Sequence, residues 1–291
     1  MKPAAASRRI AMVVLSVVLV GALWELYKNL APVDGVSVGG LRVLPRTGDA
    51  AMPHLSSIWR AFGSQEVSLA GSTSVLTSIA TAGSHTLELA VGGFVVGVVI
   101  GVALALVMDR FGLAQRALLP WIVLSQTVPL IALAPLISGW GAGVHFDGFE
   151  WQQWMSVAVI AAYLSFFPVA IGMLRGLEAP TGVHVELFKS LSASWFTTLI
   201  RLKLPAAIPF LVPSLRLGAA ASVVGAVVAE TSIGVPGGIG RLIIDYSQQA
   251  TGDPSRLYAA VIGAALLGLI AAGLIALLDL GLRSYQKGRT A

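Results

Sequence analysis

The feature that most limits this chain is a succession of apolar runs, each about as long as a bilayer is thick. A helix needs about 20 mostly apolar residues to cross the hydrocarbon core. Six stretches qualify: about 10–30, 84–108, 117–138, 154–174, 205–229 and 257–281. A soluble domain carries about 25% charged residues, whereas here charged residues are 11% and hydrophobic ones 56%. The composition argues against a water-soluble fold. The expected class is an all-α integral membrane protein with six transmembrane helices. The chain has no cysteine, which removes disulfides, thiolate nucleophiles and Cys-ligated metals. Its 19 basic and 14 acidic residues sit between the runs and form no single basic face, a pattern of membrane topology and not of nucleic-acid binding.

Short loops rich in Lys and Arg stay in the cytoplasm. Lys2, Arg8 and Arg9, then Arg110 and Arg116, then Arg175, Lys189, Arg201 and Lys203, then Arg283, Lys287 and Arg289 fall on one side of a six-span path. Lys28, Arg42, Arg46, Arg60, Arg241 and Arg256 fall on the other, mostly in longer loops. Both termini are therefore expected in the cytoplasm. The first run follows Arg8-Arg9 as a signal peptide would, but shows no clear small-x-small cleavage site. Trp24-Glu25-Leu26-Tyr27 reads as the interfacial end of an uncleaved anchor. Residues 31–83 read as external loop with one surface helix near 54–62, where Leu55, Ile58, Trp59 and Phe62 share a helical face. The organisation expected is an N-terminal helix and external loop (1–83), a transmembrane domain (84–283) with a cytoplasmic loop (175–205), and a tail (284–291).

Within the spans, Gly93, Gly97 and Gly101 recur every four residues, and Gly218, Ser222 and Ala226 repeat the pattern in the fifth run. Small residues on one face let helices approach closely, so both sets read as packing seams. Pro120, Pro129 and Pro135 surround Ser125, Gln126 and Thr127 in the third run. A polar, proline-broken stretch at membrane depth persists where it is buried in protein or lines a wet cavity, which makes Ser125, Gln126, Thr127 and Pro129 pathway candidates. Arg216, part-way into the fifth run, either attracts an anionic substrate or snorkels to the inner headgroups. Glu230, at that run's outer end, is a further pathway candidate; it lies about 21 Å further along the helix than Arg216 and cannot pair with it. The glycines at 234, 237, 238 and 240 read as a tight loop or a gate near a pathway mouth. Glu88 is expected in the first helical turn after Ser84, complementing the helix dipole. His145, Asp147 and Glu150 share an external loop, but one His at irregular spacing is no metal signature. Trp140, Trp151 and Trp154 around them suit the membrane–water boundary.

The loop 175–205 is amphipathic. Phe188, Leu191, Trp195, Leu199 and Leu202 step at helical spacing along one face, while Glu186, Lys189, Ser192 and Arg201 point elsewhere. This predicts one rigid helix over 186–202, lying on the inner membrane surface or docking a soluble partner. No Gly-Lys pair occurs, so the phosphate-binding loop of an ATPase is missing. No catalytic set is visible either.

The same loop resembles the coupling motif of binding-protein-dependent ABC transporter permeases: E-A-A, three residues, G, nine residues, I-x-L-P. Glu186, Ala193, Leu204 and Pro205 match, with Leu187 and Phe188 in place of the alanines, Ser192 in place of the glycine and Leu202 in place of the isoleucine. Ser190 and Leu191 fill the intervening positions. Thr127-Val128-Pro129-Leu130-Ile131-Ala132-Leu133-Ala134-Pro135-Leu136, Phe166-Phe167-Pro168, and Glu230 followed by Gly237-Gly238-Ile239-Gly240 are similar to the nitrate/sulfonate/taurine-type branch. That branch also includes importers of thiamine-precursor pyrimidines and riboflavin. The resemblance implies a type I importer fold in a bacterial inner membrane and two permease subunits, often identical. It also implies two cytoplasmic ATPases that bind ATP–Mg, an extracytoplasmic solute-binding protein, and no cofactor or metal in this chain. It implies too that the loop's helix docks on the ATPase and converts closure of the nucleotide dimer into opening of the permease. A secondary transporter would show an internal repeat and a midplane coupling acid. That reading and a membrane scaffold are the alternatives.

Overall fold

The computed structural model describes the backbone of residues 3–38, 41–66, 73–146, 148–251 and 253–287. Lys2, Arg289, Asp147 and the last residues of the expected tail lie outside the described residues. In chain order the elements are α1 (Pro3–Leu30), β1 (Val36–Val38), β2 (Leu41–Leu44), α2 (Leu55–Gly63), α3 (Val75–Arg110), α4 (Gly112–Ser125) and α5 (Leu130–Ala142). There follow β3 (His145–Phe146), β4 (Phe149–Glu150), α6 (Gln153–Leu177), α7 (Gly182–Ser190), α8 (Trp195–Thr198), a π-turn (Leu199–Lys203), α9 (Leu204–Ile233), α10 (Ile239–Gln249) and α11 (Ser255–Lys287). Each pair of strands is an antiparallel two-stranded ribbon.

Among the described residues, five helical stretches are long and apolar enough to cross a membrane: Ala11–Leu30, Val75–Arg110, Gln153–Leu177, Trp195–Ile233 and Ser255–Leu277. The third expected span is instead α4 and α5, bent by 103°. If that pair is one broken span, the crossings number six. Pro129 explains the break: it has no N–H to give, and its ring disfavours helical geometry at the residue before it. The amides of Gln126, Thr127 and Val128 fold back in tight turns onto Val123, Leu124 and Ser125. Pro120 and Pro135 lie inside α4 and α5 without ending them.

Two expectations about the second span need correction. The helix begins at Val75, nine residues ahead of the expected start, because Ser74 caps it, its Oγ accepting from the Thr77 amide at 3.3 Å. Glu88 is therefore interior and complements no helix end. At 36 residues, α3 is about 54 Å long, well beyond a hydrocarbon core of about 30 Å.

The chain forms two compact units, Met1–Ile79 with Ile243–Ile262, and Ala80–Leu242 with Gly263–Ala291. In the first, the last turns of α1 hold the segment expected to be loop. The buried Lys28 ammonium donates to Thr47 O (3.0 Å), Asp49 Oδ1 (2.7 Å) and Met52 O (2.5 Å), which satisfies all three of its protons. Hydrogen bonding to this ammonium holds the Asp49 carboxyl below its ordinary range. Glu25 accepts from the Leu55 amide at 2.7 Å, capping α2, and meets His54 Nδ1 at 2.8 Å. Trp24 Nε1 donates to Pro53 O and the indole packs edge-on against Tyr258. Tyr246 donates to Glu66 Oε1 at 2.6 Å. Its phenol is pushed up by burial first and by the Glu66 carboxylate second.

In the second unit α6 is the axis. A Cβ on Gly93 or Gly101 would press into the backbone of α6 at Ala158 or Phe166, and one on Gly97 would overlap Ser165. The contacts advance together, so α3 and α6 run parallel. α6 also meets α9, antiparallel: Gly176 lies on Ala207, Gly172 on Ser214, Gly218 on Val169 and Gly225 on Ala161. Small residues permit both approaches, which are close enough for backbone-to-backbone packing. The apolar core between these helices includes Ile160, Ala161, Val223 and Ala226.

Candidate coupling site and pathway residues

The loop between α6 and α9 is built in two contrasting halves. The first half, α7, has no buried residue. Val183, Leu187 and Leu191 are 75%, 53% and 69% exposed, and their spacing of four puts them on one face. Glu186 is exposed and Phe188 half-buried beside them. The helix then stops in a Schellman arrangement, with Ala193 N donating to Phe188 O at 3.0 Å and Ser192 N to Lys189 O at 2.9 Å. This closure needs a left-handed residue at Ser192, whose φ is +53°, and glycine takes that conformation without penalty. The motif's glycine thus has a physical reason here, and Ser192 meets it at some strain. The single helix expected over 186–202 is therefore corrected: hydrophobic spacing continues across the stop, but the backbone turns.

The second half is rooted. Ser194 caps α8, accepting from the Thr197 amide. Leu199 is buried and, with Trp195 and Leu204, packs into a cluster containing Ala105, Met108, Ile122, Met173 and Leu177. The backbone widens into the π-turn, where Leu204 N donates to Leu199 O. Pro205 follows, and a wider turn relieves the clash its ring would make with the carbonyl four residues back. Leu202 is half-buried on this turn. The helical run thus begins at Trp195, and Pro205 lies within it instead of starting it.

Of the pathway candidates, Ser125 and Thr127 return their hydroxyls to Ile122 O and Leu124 O. Gln126 Nε2 donates to Ser125 Oγ at 3.3 Å. The Tyr163 hydroxyl on α6 donates to Ser125 O, so the bend is fastened to the central helix. Pro129 is exposed, and Arg216 is half-buried on α9.

Comparison with known proteins decides the family. Residues 97–284 match the sequence pattern described as "binding-protein-dependent transport system inner membrane component". The chain belongs to this family of ABC transporter permeases. It is 30% identical over 195 residues to the formylaminopyrimidine transport permease protein ThiX of Halalkalibacterium halodurans, covering 67% of this chain and 73% of that one. It is 30% identical to the taurine transport system permease protein TauC of Escherichia coli, covering 67% and 62%. With the putative aliphatic sulfonates transport permease protein SsuC of Bacillus subtilis the identity is 26%, covering 67% and 66%. Among solved structures, an amino acid ABC transporter crystallised with histidines shares the fold at TM-score 0.54 and 21% identity, covering 72% of this chain and 94% of that one.

In this ABC permease Glu230 is tied into the protein by a specific set of hydrogen bonds. The carboxylate is fully buried and enclosed by protein. Its Oε2 accepts from Thr86 Oγ1 on α3 and from the Gly240 amide at the start of α10, both at 2.9 Å. Thr86 in turn accepts from the Ile239 amide at 2.8 Å. A carboxylate at a helix N-terminus is favoured by the exposed amides there. A Cβ on Gly238 would overlap the carboxylate, while Gly234 and Gly237 have φ of +77° and +91°. The four glycines therefore let the chain wrap this acid. Spacing alone did not show it, because Thr86 is remote in sequence. In the ribbon β3–β4, His145 stands opposite Glu150 in the register. Among the described residues no group of three or more His, Cys, Asp or Glu is placed to hold a metal ion. Trp151 turns inward, donating to Ser156 Oγ and covering Gly141, while Trp140 and Trp154 stay exposed.

Proposed function

We propose that this chain forms the translocation pathway of an ATP-driven importer of a small polar or anionic solute. The α4–α5 pair is one broken crossing, so that six crossings leave both termini in the cytoplasm with the loop 175–205. The observation that carries the reading is α7: an amphipathic helix with an apolar stripe and no buried residue, standing where the coupling motif lies and joined through the turn at Ser192 to the root of α9. An exposed apolar stripe on a short helix fits insertion into a groove of a soluble partner, here a cytoplasmic ATPase that binds ATP–Mg. A second permease copy, two such ATPases and an extracytoplasmic binding protein complete the assembly. Relatives named for formylaminopyrimidine, sulfonates, taurine and riboflavin support a solute of the size and polarity of a sulfonate, nitrate or a vitamin-precursor heterocycle. Gln126, Thr127 and Arg216 are the groups of this chain that would meet it.

The test is to express the chain with the genes beside it, extract it in mild detergent and weigh what accompanies it. A stoichiometric ATPase that is lost in Glu186→Lys, with membrane insertion intact, is the expected result. A chain that emerges alone, with uptake unaffected by Glu186→Lys, returns the question to a secondary transporter or a scaffold.

A further inference from the structure

The α3 C-terminus makes two contacts with the root of the loop that the coupling motif does not contain. Asp109 is 3% exposed and Lys203 18%, and Lys203 Nζ lies 2.5 Å from Asp109 Oδ1. One residue on, the Arg110 guanidinium stacks over the Trp195 indole, 5.0 Å from its centroid. The two contacts grip both ends of one segment: Trp195 opens α8, and Lys203 closes the π-turn, on either side of the buried Leu199. Met108, the residue before Asp109, belongs to the same cluster as Leu199. The segment is thus fixed to α3 by charge, by cation–π stacking and by apolar packing.

The grip is also incompletely bonded. Asp109 Oδ2 and Trp195 Nε1 are both buried with no hydrogen-bond partner, one an acceptor and the other a donor. Buried polar groups are nearly always paired, so an arrangement that paired these two atoms would compete with the one seen. Bistable packed joints convert small displacements into larger ones.

We propose that Asp109 and Arg110 clamp α3 to the coupling loop, so that movement of the loop drives α3 together with α9. Through α3 the movement reaches α6, against which Gly93, Gly97 and Gly101 pack. Asp109, Lys203, Arg110 and Trp195 are positioning residues for transmission, and touch neither solute nor nucleotide. The inference rests on the reading of the loop as an ATPase dock.

The experiment uses the whole complex, purified with its own ATPase and reconstituted in lipid. The readout is ATP hydrolysis with and without the binding protein of the same operon, as purified from cells. Asp109→Asn, which keeps the side chain's shape, is expected to retain the ATPase on purification. The acceleration by binding protein should fall about fivefold or more, the range of typical coupling between sites. The exchange Asp109→Lys with Lys203→Asp should restore it, which assigns the loss to the ion pair, while the ATPase retained in Asp109→Asn separates transmission from assembly. Unchanged acceleration in Asp109→Asn overturns the clamp. Failure of both the single and the exchanged variants to assemble also overturns it, by assigning the pair to folding. If the wild-type chain itself binds no ATPase, the loop reading falls and takes the clamp with it, an outcome distinct from the other two.

Discussion

The two halves of the loop between α6 and α9 differ in what they spend their apolar residues on. In α7 the stripe Val183, Leu187 and Leu191 is left in the open. At the root, Leu199 and Trp195 are committed to the chain's own core. A side chain buried in its own fold holds that fold together, whereas one kept exposed at a cost is available to a partner. The loop therefore has a working end and a fixed end, joined at the left-handed Ser192.

Substitutions at the fixed end should cost stability. Replacing Lys203 by Met strands the buried Asp109 carboxylate, and breaking such a pair costs about 3–5 kcal/mol. A clear fall in the detergent melting temperature is expected, with the Asp109→Asn, Lys203→Met double variant recovering part of it. Leu199→Ala leaves a cavity and should cost about 2–5 kcal/mol by the same measurement. A melting curve identical to wild type for either variant would show that the root is not fixed.

At the hinge, Ser192→Gly removes the left-handed penalty and should stabilise by about 1 kcal/mol. At the working end, Leu187→Ala should change the melting temperature little, within about 0.5 kcal/mol, yet reduce the ATPase recovered on purification. The smallest effect expected lies outside the loop, at the Lys28–Asp49 pair. The folded carboxyl titrates below its ordinary 3.8, so the contribution is present at neutral pH and is lost as pH falls through the lower folded value. Asp49 is fully exposed, so only a slight rise in protease susceptibility near residues 45–55 is expected below about pH 4, and Asp49→Asn should remove that pH dependence.

Much of this was legible in the sequence, for identifiable reasons. Span positions follow from hydropathy, which burial in lipid enforces residue by residue. The bend at 126–129 follows from Pro129, whose missing N–H acts locally. The glycine spacing of α3 marked a face, though only the structure shows that the face lies on α6. What stayed hidden depends on backbone angle or on distance along the chain. Apolar periodicity runs unbroken from Phe188 to Leu202, and nothing in it registers the positive φ at Ser192. The Ser/Thr-rich stretch before residue 84 looked like loop because its apolar density is low, yet Ser74 caps a helix there. The hydrogen bonds that hold Glu230 were hidden because its partners, Thr86 and the Gly240 amide, lie on other elements. Asp109 drew no attention in a short basic loop, since its partner Lys203 is 94 residues away.

The central claim is that α7 faces a cytoplasmic ATPase, and the absence of cysteine makes it directly testable. A single Leu187→Cys, labelled with a photoreactive maleimide in membranes containing the whole complex, should crosslink the ATPase subunit on illumination. Adducts only with lipid or with the extracytoplasmic binding protein would place the helix elsewhere and contradict the account.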